Sequence, residues 1–449
     1  MKRRIRITGI ALEDIQLAAE DIYIFGYPLL LMDLTRRMDT ATPQPSSHDA
    51  PVNRFAHSRF LPGPFDRRIP QPNSDCLTSS AWLDLNKEPV VLSVPHTLRY
   101  YLLSLFSEWY EILGSISPQK TGTHGGHFGL VGPKWSGKLP PGVKRITSPT
   151  EYVWIQGYCA VDGAEDIQLA HSLQDQILLT SLSEWGLPPS PHALPCRLKS
   201  DQKTTPQEQL SALDAQRFFT HLSTLMQRNQ AQPSAGDSEI LAECARIGYF
   251  PSEDFAFEML PAETVQAMHT AVAAAESKIV EADKRPGPRI SGNWSLHIHP
   301  GMYRSDYLAR AAAARTGHAV TLAEDITCFQ TAVDDAGEPL KGTHRYAIYL
   351  DGSLLPPVNG FWSLTLYDRS HHLVANDIQR YALGDRDRLR HNPDNSLSIH
   401  IQHEWPGPNQ DSNWLPAPKD SFNLTLRLYR PKAEIINGTW RPPAVTRVN

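Results

Sequence analysis

The segment from residue 422 to 429 limits the possible folds of this chain most sharply. Phe422, Leu424, Leu426 and Leu428 alternate there with Asn423, Thr425, Arg427 and Tyr429. A period of two belongs to a β-strand with one face in an apolar core. Leu397, Ile399 and Ile401 alternate in the same way with Ser398, His400 and Gln402, and the runs Arg345 to Leu350 and Phe361 to Tyr367 behave alike. No helical pattern separates these four runs. One-faced strands in succession predict antiparallel sheets, arranged as a sandwich or jelly roll.

A second strand-rich region lies earlier. Val90-Val91-Leu92-Ser93-Val94, Arg99-Tyr100-Tyr101-Leu102-Leu103 and Tyr152 to Val161 are β-branched or aromatic runs bounded by Pro and Gly. Between the two regions the period changes to that of a helix. Thr205-Pro206 reads as an N-cap with proline in the first turn, ahead of a stripe of Phe218, Leu222 and Leu225. From Pro261, the residues Val265, Met268, Val272, Ala275 and Ile279 share one helical face, and alanine-rich 303–315 predicts another helix. Leu12, Ile15, Ala19 and Ile22 open the chain with an amphipathic helix that Pro28 is expected to end or kink.

The expected organisation is therefore α+β and multi-domain, with two antiparallel β-sandwich or jelly-roll-like modules and a helical insertion. Its segments are an N-terminal helix and lead-in (1–39), a first β-rich module (40–165), a mainly helical middle (166–300) and a C-terminal sandwich (301–449). A chain of 449 residues exceeds one ordinary core, and 37 prolines favour many short elements over long helices.

A net charge of −5 supplies no electrostatic reason to bind nucleic acid or an anionic membrane. The five cysteines, Cys76, Cys159, Cys196, Cys244 and Cys328, are scattered and form no Cys-x-x-Cys pair. That spacing argues against a disulfide framework and for a reducing compartment. Met1-Lys2-Arg3-Arg4 is followed by an apolar run broken at Thr8-Gly9, unlike a secretory signal, so the expected location is cytoplasmic.

Two ordered sets of motifs go further. The first runs from Pro72-Asn73-Ser74-Asp75 through Trp82-Leu83-Asp84, Glu88-Pro89-Val90, Arg99-Tyr100-Tyr101 and Gly132-Pro133-Lys134-Trp135 to Ser148-Pro149-Thr150. It resembles the family called domain of unknown function 1254. The second comprises Pro356-Pro357-Val358, Phe361-Trp362-Ser363 to Asp368, Arg380-Tyr381, Gly384-Asp385-Arg386, Asn413-Trp414-Leu415-Pro416 and Leu426-Arg427-Leu428-Tyr429. It resembles the companion family, domain of unknown function 1214, which habitually follows the first. The resemblance implies two sandwich-like modules around a helical insertion and carries no catalytic residues with it. One departure stands out: where the first family usually reads Asn-x-Asp-Thr-Leu-Tyr-Ser, this chain has Cys76 and Thr78 in place of the Thr and the Tyr.

Three sets of residues are candidates for chemistry. Asn73 and Asp75, entering a strand near Trp82, suit a polar site with Asp75 as general base; the competing reading is an Asx-type turn. Arg345, Trp362, Tyr367, Asp368, Asp377, Arg380 and Trp414 would, if they converge, offer arginines to an anionic group, aromatics to a ring and Asp377 as a further carboxylate. The competing reading is core aromatics and loop-pinning arginines. His297 and His299 fall on one strand face, the spacing of a jelly-roll metal site. The expected acidic ligand is missing, since Met302 and Tyr303 stand there, and His124, His127, His344 and His371-His372 are no better supported. Cys76 beside Asp75 raises a nucleophilic thiol, against which a lone buried cysteine is the plainer reading. Nucleophile elbows, phosphate loops, dinucleotide fingerprints and His-Glu-x-x-His motifs are absent.

The leading expectation is an enzyme acting on a small polar or sugar-like organic molecule by acid–base chemistry, with no metal and no cofactor. The alternatives are a non-catalytic ligand- or glycan-binding protein and a structural or assembly protein. The expected partner is a small molecule or glycan, with neither nucleic acid nor membrane, and a homo-oligomer is compatible with this reading.

Overall fold

In the computed structural model, the described residues are 10–187, 203–229, 237–249, 253–284, 287, 289–297, 301–316 and 320–448. The alternation at 422–429 is realised as a strand whose Phe422, Leu424, Leu426 and Leu428 all enter one apolar core.

The first module begins with α1 (Leu12–Asp39), although the sheets start later. Three of its strands are used below: β1 (Cys76–Asp84), β2 (Tyr101–Ser107) and β3 (Tyr152–Ala160). They form a five-stranded antiparallel sheet in which β3 lies between β1 and β2, with Ala56–His57 and Ile112–Ile116 at the edges. A four-stranded sheet covers its inner face, built from Val143–Thr147, Gly126–Val131, Val90–Val94 and Leu178–Ser181. Leu77, Leu83, Leu103, Leu105 and Ile155 meet Val90, Leu92, Phe128 and Leu130 between the two sheets. Leu178–Ser181 pairs with Val90–Val94, so this module runs past the expected border at 165.

The helical layer packs around α1, and three of its helices are used below: α2 (Ala215–Arg228), α3 (Ala262–Lys284) and α4 (Tyr307–Thr316). Ahead of them, Thr205 caps the short helix Pro206–Ser211 through a reciprocal capping box with Glu208, as the Thr-Pro pair predicted. Pro28 does not end α1. Residues 22–33 are buried on every side, and this packing carries the helix past the missing N–H to Asp39. Gly26 shows how tight the layer is, since a Cβ there would lie 2.5 Å from Leu222 of α2. Among the described residues α1 is also the one helix long and apolar enough to cross a bilayer, and 83% of its most apolar window is buried within the protein.

The second module is a sandwich of two further sheets. One contains β4 (Ile326–Thr331), β5 (Trp362–Asp368) and β6 (Phe422–Tyr429), with β6 in the centre and Ser295–His297 and Ala382–Gly384 at the edges. The other joins Trp414–Pro416, Leu397–Gln402, Arg345–Leu350 and Thr446–Val448. Two pairs are parallel, Gly126–Val131 with Val143–Thr147 and Leu397–Gln402 with Trp414–Pro416; the remaining ladders are antiparallel. The α+β class and the two-module plan thus hold.

Candidate functional site

The outer faces of the two central sheets are where the modules meet. On β6, the residues opposite the leucines are Asn423, Thr425, Arg427 and Tyr429, and all four are buried. On β5, Ser363, Thr365 and Tyr367 face the same way, and on β4 Ile326, Cys328 and Gln330 do. Cys76, Leu102 and Ala160 of the first module pack against Ile326, Phe361 and Tyr429 of the second, with Tyr100, Tyr158 and Cys328 beside them. The polar faces of these strands therefore make a seam between domains, where a solvent face had been expected.

Asp75 sits at that seam, immediately before β1, and is 6% exposed. Its Oδ2 accepts hydrogen bonds from the Tyr429 phenol (2.7 Å) and from the Ser363 hydroxyl. Its Oδ1 lies 3.7 Å from the Arg386 guanidinium, which also donates to the Val161 carbonyl and lies 3.8 Å above the Phe361 ring. Asn73 does two things. Its Oδ1 accepts from the Asp75 N–H at 2.9 Å, which is the Asx turn, and its Nδ2 donates to the Tyr429 hydroxyl at 3.0 Å. Burial, followed by the charge of Asp75, holds the Tyr429 phenol well above its usual range, so it stays a hydrogen-bond donor. Burial raises Asp385 and Asp387, on either side of Arg386, above the usual carboxylate range, while N–H groups of Trp362 and Gly384 respectively pull them back. Cys76 is fully buried, and burial with Asp75 next to it keeps the thiol protonated, which disfavours a nucleophile.

Arg427 is the second centre of the seam. It is 6% exposed, and its guanidinium donates to Thr365 Oγ1 (3.1 Å) and to the Gln71 carbonyl (2.9 Å). Both acceptors are neutral, and among the described residues no carboxylate forms an ion pair with it. Around it, burial pushes the Tyr158 hydroxyl up to about 12 and raises Tyr367 and Cys328, with Arg427 opposing each shift. Gln71 ties this centre to the sandwich: its N–H donates to the His371 carbonyl, its Nε2 lies 2.8 Å from His371 Nδ1, and Gln330 donates to its Oε1. Gln71 (φ 52°) and His371 (φ 64°) both adopt left-handed backbone, a conformation that non-glycine residues hold only under outside constraint. Thr78, Tyr158, Cys328 and Gln330 are half-buried along the seam.

The other expected site residues do not join this cluster. Tyr367 does, donating to the Pro72 carbonyl at 2.7 Å. Trp82 lies towards the far end of β1, stacked on Trp154 and donating to Asp39 at 3.0 Å, within the apolar core against the helices. Trp362 is inside the sandwich core. Arg380 pins a loop through the carbonyls of Asp411 and Trp414, and Trp414 donates to the Gln402 carbonyl. Arg345 is exposed opposite Glu404, and Asp377 is exposed on its loop. Alternation turns Trp362 away from the seam, whereas Trp82 shares the strand face of Cys76 and Thr78 and lies beyond the seam, against the helices. Of the histidine pair, His297 is described only as a strand residue opposite Cys328, and His299 lies outside the described residues. Among the described residues no group of three metal-ligating side chains is assembled.

Arg427, Tyr429, Ser363, Arg386 and Gln71 were not among the expected site residues. A signal existed. Asn423, Thr425, Arg427 and Tyr429 include no Lys or Glu, the residues that normally solvate an outward strand face.

Known proteins align with this architecture. A family model described as Protein of unknown function (DUF1254) matches residues 52–181, and one described as Protein of unknown function (DUF1214) matches residues 325–433. No curated protein matches the chain. The crystal structure of the VPA0106 protein from Vibrio parahaemolyticus superposes with a TM-score of 0.72 at 23% identity, covering 97% of this chain and 100% of that one. It shares the fold. A putative uncharacterized protein from Burkholderia cenocepacia gives a TM-score of 0.43 at 11% identity, over 97% of this chain and 94% of that one.

Proposed function

We propose that this chain, which belongs to the proteins pairing a DUF1254 module with a DUF1214 module, is an enzyme that takes a small anionic organic molecule into the seam between them. The observation behind this reading is the buried Arg427 guanidinium, whose hydrogen bonds go only to neutral oxygens. A buried cation with no carboxylate in ion-pair reach is costly, and Asp75 acts on Arg427 only from farther off. A carboxylate, sulfate or phosphate on the ligand would remove that cost, and the planar fork of an arginine fits each of them. In this reading Arg427 is the anchor. Asp75 is the base, and the Tyr429 and Ser363 hydroxyls that donate to it hold its carboxylate in place.

The test is a thermal-shift and calorimetric screen of phosphate, sulfate and short mono- and dicarboxylates on wild type and Arg427→Met. At about 100 times Kd, a ligand of the folded state adds roughly 2.7 kcal/mol of stability. The expected result is a stabilising anion in wild type whose effect is lost in the variant. If no anion stabilises wild type, or Arg427→Met responds equally, the reading fails.

A second reading rests on a different observation. The hydroxyl donors to Asp75 Oδ2, Tyr429 and Ser363, come from the opposite module, which makes the cluster a rivet between domains. Asp75→Asn separates the two readings: a rivet loses stability with no effect on any anion-dependent turnover, whereas a base loses turnover.

A further inference from the structure

Outside the seam, the stretch that holds Pro64, Phe65 and Arg67 lies beside Asp368, at the end of β5 in the second module. Together they line a recess of about 480 Å³, within the size range of small-molecule sites. Its charges balance: Arg67 and Arg369 stand with Asp368 and Asp420. Pro64, Val374 and Pro418 supply apolar wall, and Ser370 and Ser421 line the same space. Asp368 Oδ1 accepts the N–H groups of Ser370 (2.8 Å) and His372 (2.9 Å), while Oδ2 is 3.8 Å from Arg67, too far for a direct hydrogen bond. Phe65 also lines the recess and is 94% exposed. A phenyl ring left that bare forgoes burial that the neighbouring apolar wall could provide.

We propose that this recess binds a neutral, hydroxyl-rich ring, a mono- or disaccharide. Two guanidinium and two carboxylate groups cancel, so an ion of either sign gains little. The same four planar groups can donate to and accept from neighbouring hydroxyls. The apolar C–H face of a sugar packs on Phe65 and the proline-lined wall, burying a ring that otherwise stands in water. The site is separate from Arg427 and does not depend on the anion reading.

Saturation-transfer NMR and calorimetry with neutral mono- and disaccharides test it on wild type, Phe65→Ala, Asp368→Asn and Arg427→Met. Phe65 contributes almost no burial, so Phe65→Ala should keep the wild-type Tm. The expected result is saccharide binding in wild type, about tenfold weaker in Phe65→Ala for one lost ring contact, weakened in Asp368→Asn and unchanged in Arg427→Met. Absence of binding by every saccharide tested, or full affinity in Phe65→Ala, overturns the proposal. Saccharide binding lost in Arg427→Met would place the sugar in the seam and also overturn it. Failure of anion binding at Arg427 leaves this result untouched.

Discussion

The Tyr429 phenol donates to the Asp75 carboxylate at 2.7 Å, joining residues 354 positions apart in the chain and on opposite modules. Tyr429→Phe removes that donor from a buried acceptor and also strands the Asn73 amide. A hydrogen bond to a charged group contributes roughly 1.5–3 kcal/mol, and a loss of that size is expected in urea unfolding. A change below about 0.5 kcal/mol, the scatter of neutral surface substitutions, would mean that the contact does not hold the modules together.

Arg427 carries the opposite expectation. In anion-free buffer, Arg427→Met exchanges a buried guanidinium, attracted by Asp75 without a direct ion pair, for an apolar chain of similar length. Replacing whole buried charge clusters by apolar residues is often neutral or stabilising by about 1–4 kcal/mol, and the gain is smaller here because the Gln71 carbonyl loses its donor and Asp75 loses an attracting charge. Urea midpoints for wild type and variant, measured side by side, would refute this if the variant lost several kcal/mol.

Asp39 gives the chain a pH dependence of definite sign. Burial, with Asp49 adding to it and the Trp82 N–H opposing it, raises this carboxyl from 3.8 to about 7. The folded state therefore binds the proton more tightly than the unfolded state. Stability from this group is full below pH 3.8 and is lost as pH rises towards 7. Asp39→Asn should leave Tm nearly unchanged at pH 4 and raise it relative to wild type at pH 8. Equal differences at both values would show that Asp39 titrates normally.

Gly26→Ala tests the helical layer. Alanine favours a helix over glycine by about 1 kcal/mol, yet its methyl would sit 2.5 Å from Leu222 Cδ2 in a filled core. Overpacking costs about 1–3 kcal/mol, so the sum should be destabilising. A stabilised variant would show that Leu222 moves aside freely.

The strands were legible in the sequence because each carries its own period, and Arg345–Leu350 and Leu397–Gln402 fold at the predicted residues. Pro28 misled, because a local rule gave way to burial on every side that no local pattern encodes. The site was half legible. Asp75 and Asn73 stood out as a polar turn, whereas Arg427 looked like the solvent side of an amphipathic strand. Only the docking of a second module makes that side an interior. Which face of a sheet meets another domain is fixed by contacts hundreds of residues apart, and a two-residue period does not record them.

The packing of α1 has a consequence for synthesis of the chain. Its residues 20 and 25 contact partners 258 and 285 positions later, Lys278 and Arg310. At about 5–20 residues per second, the ribosome takes roughly 15–60 s to deliver them. For that interval α1, among the described residues the one helix long and apolar enough to cross a bilayer, is made but only partly covered. It is then a natural substrate for a holding chaperone, and expression at lower temperature or with added chaperone should raise the soluble yield.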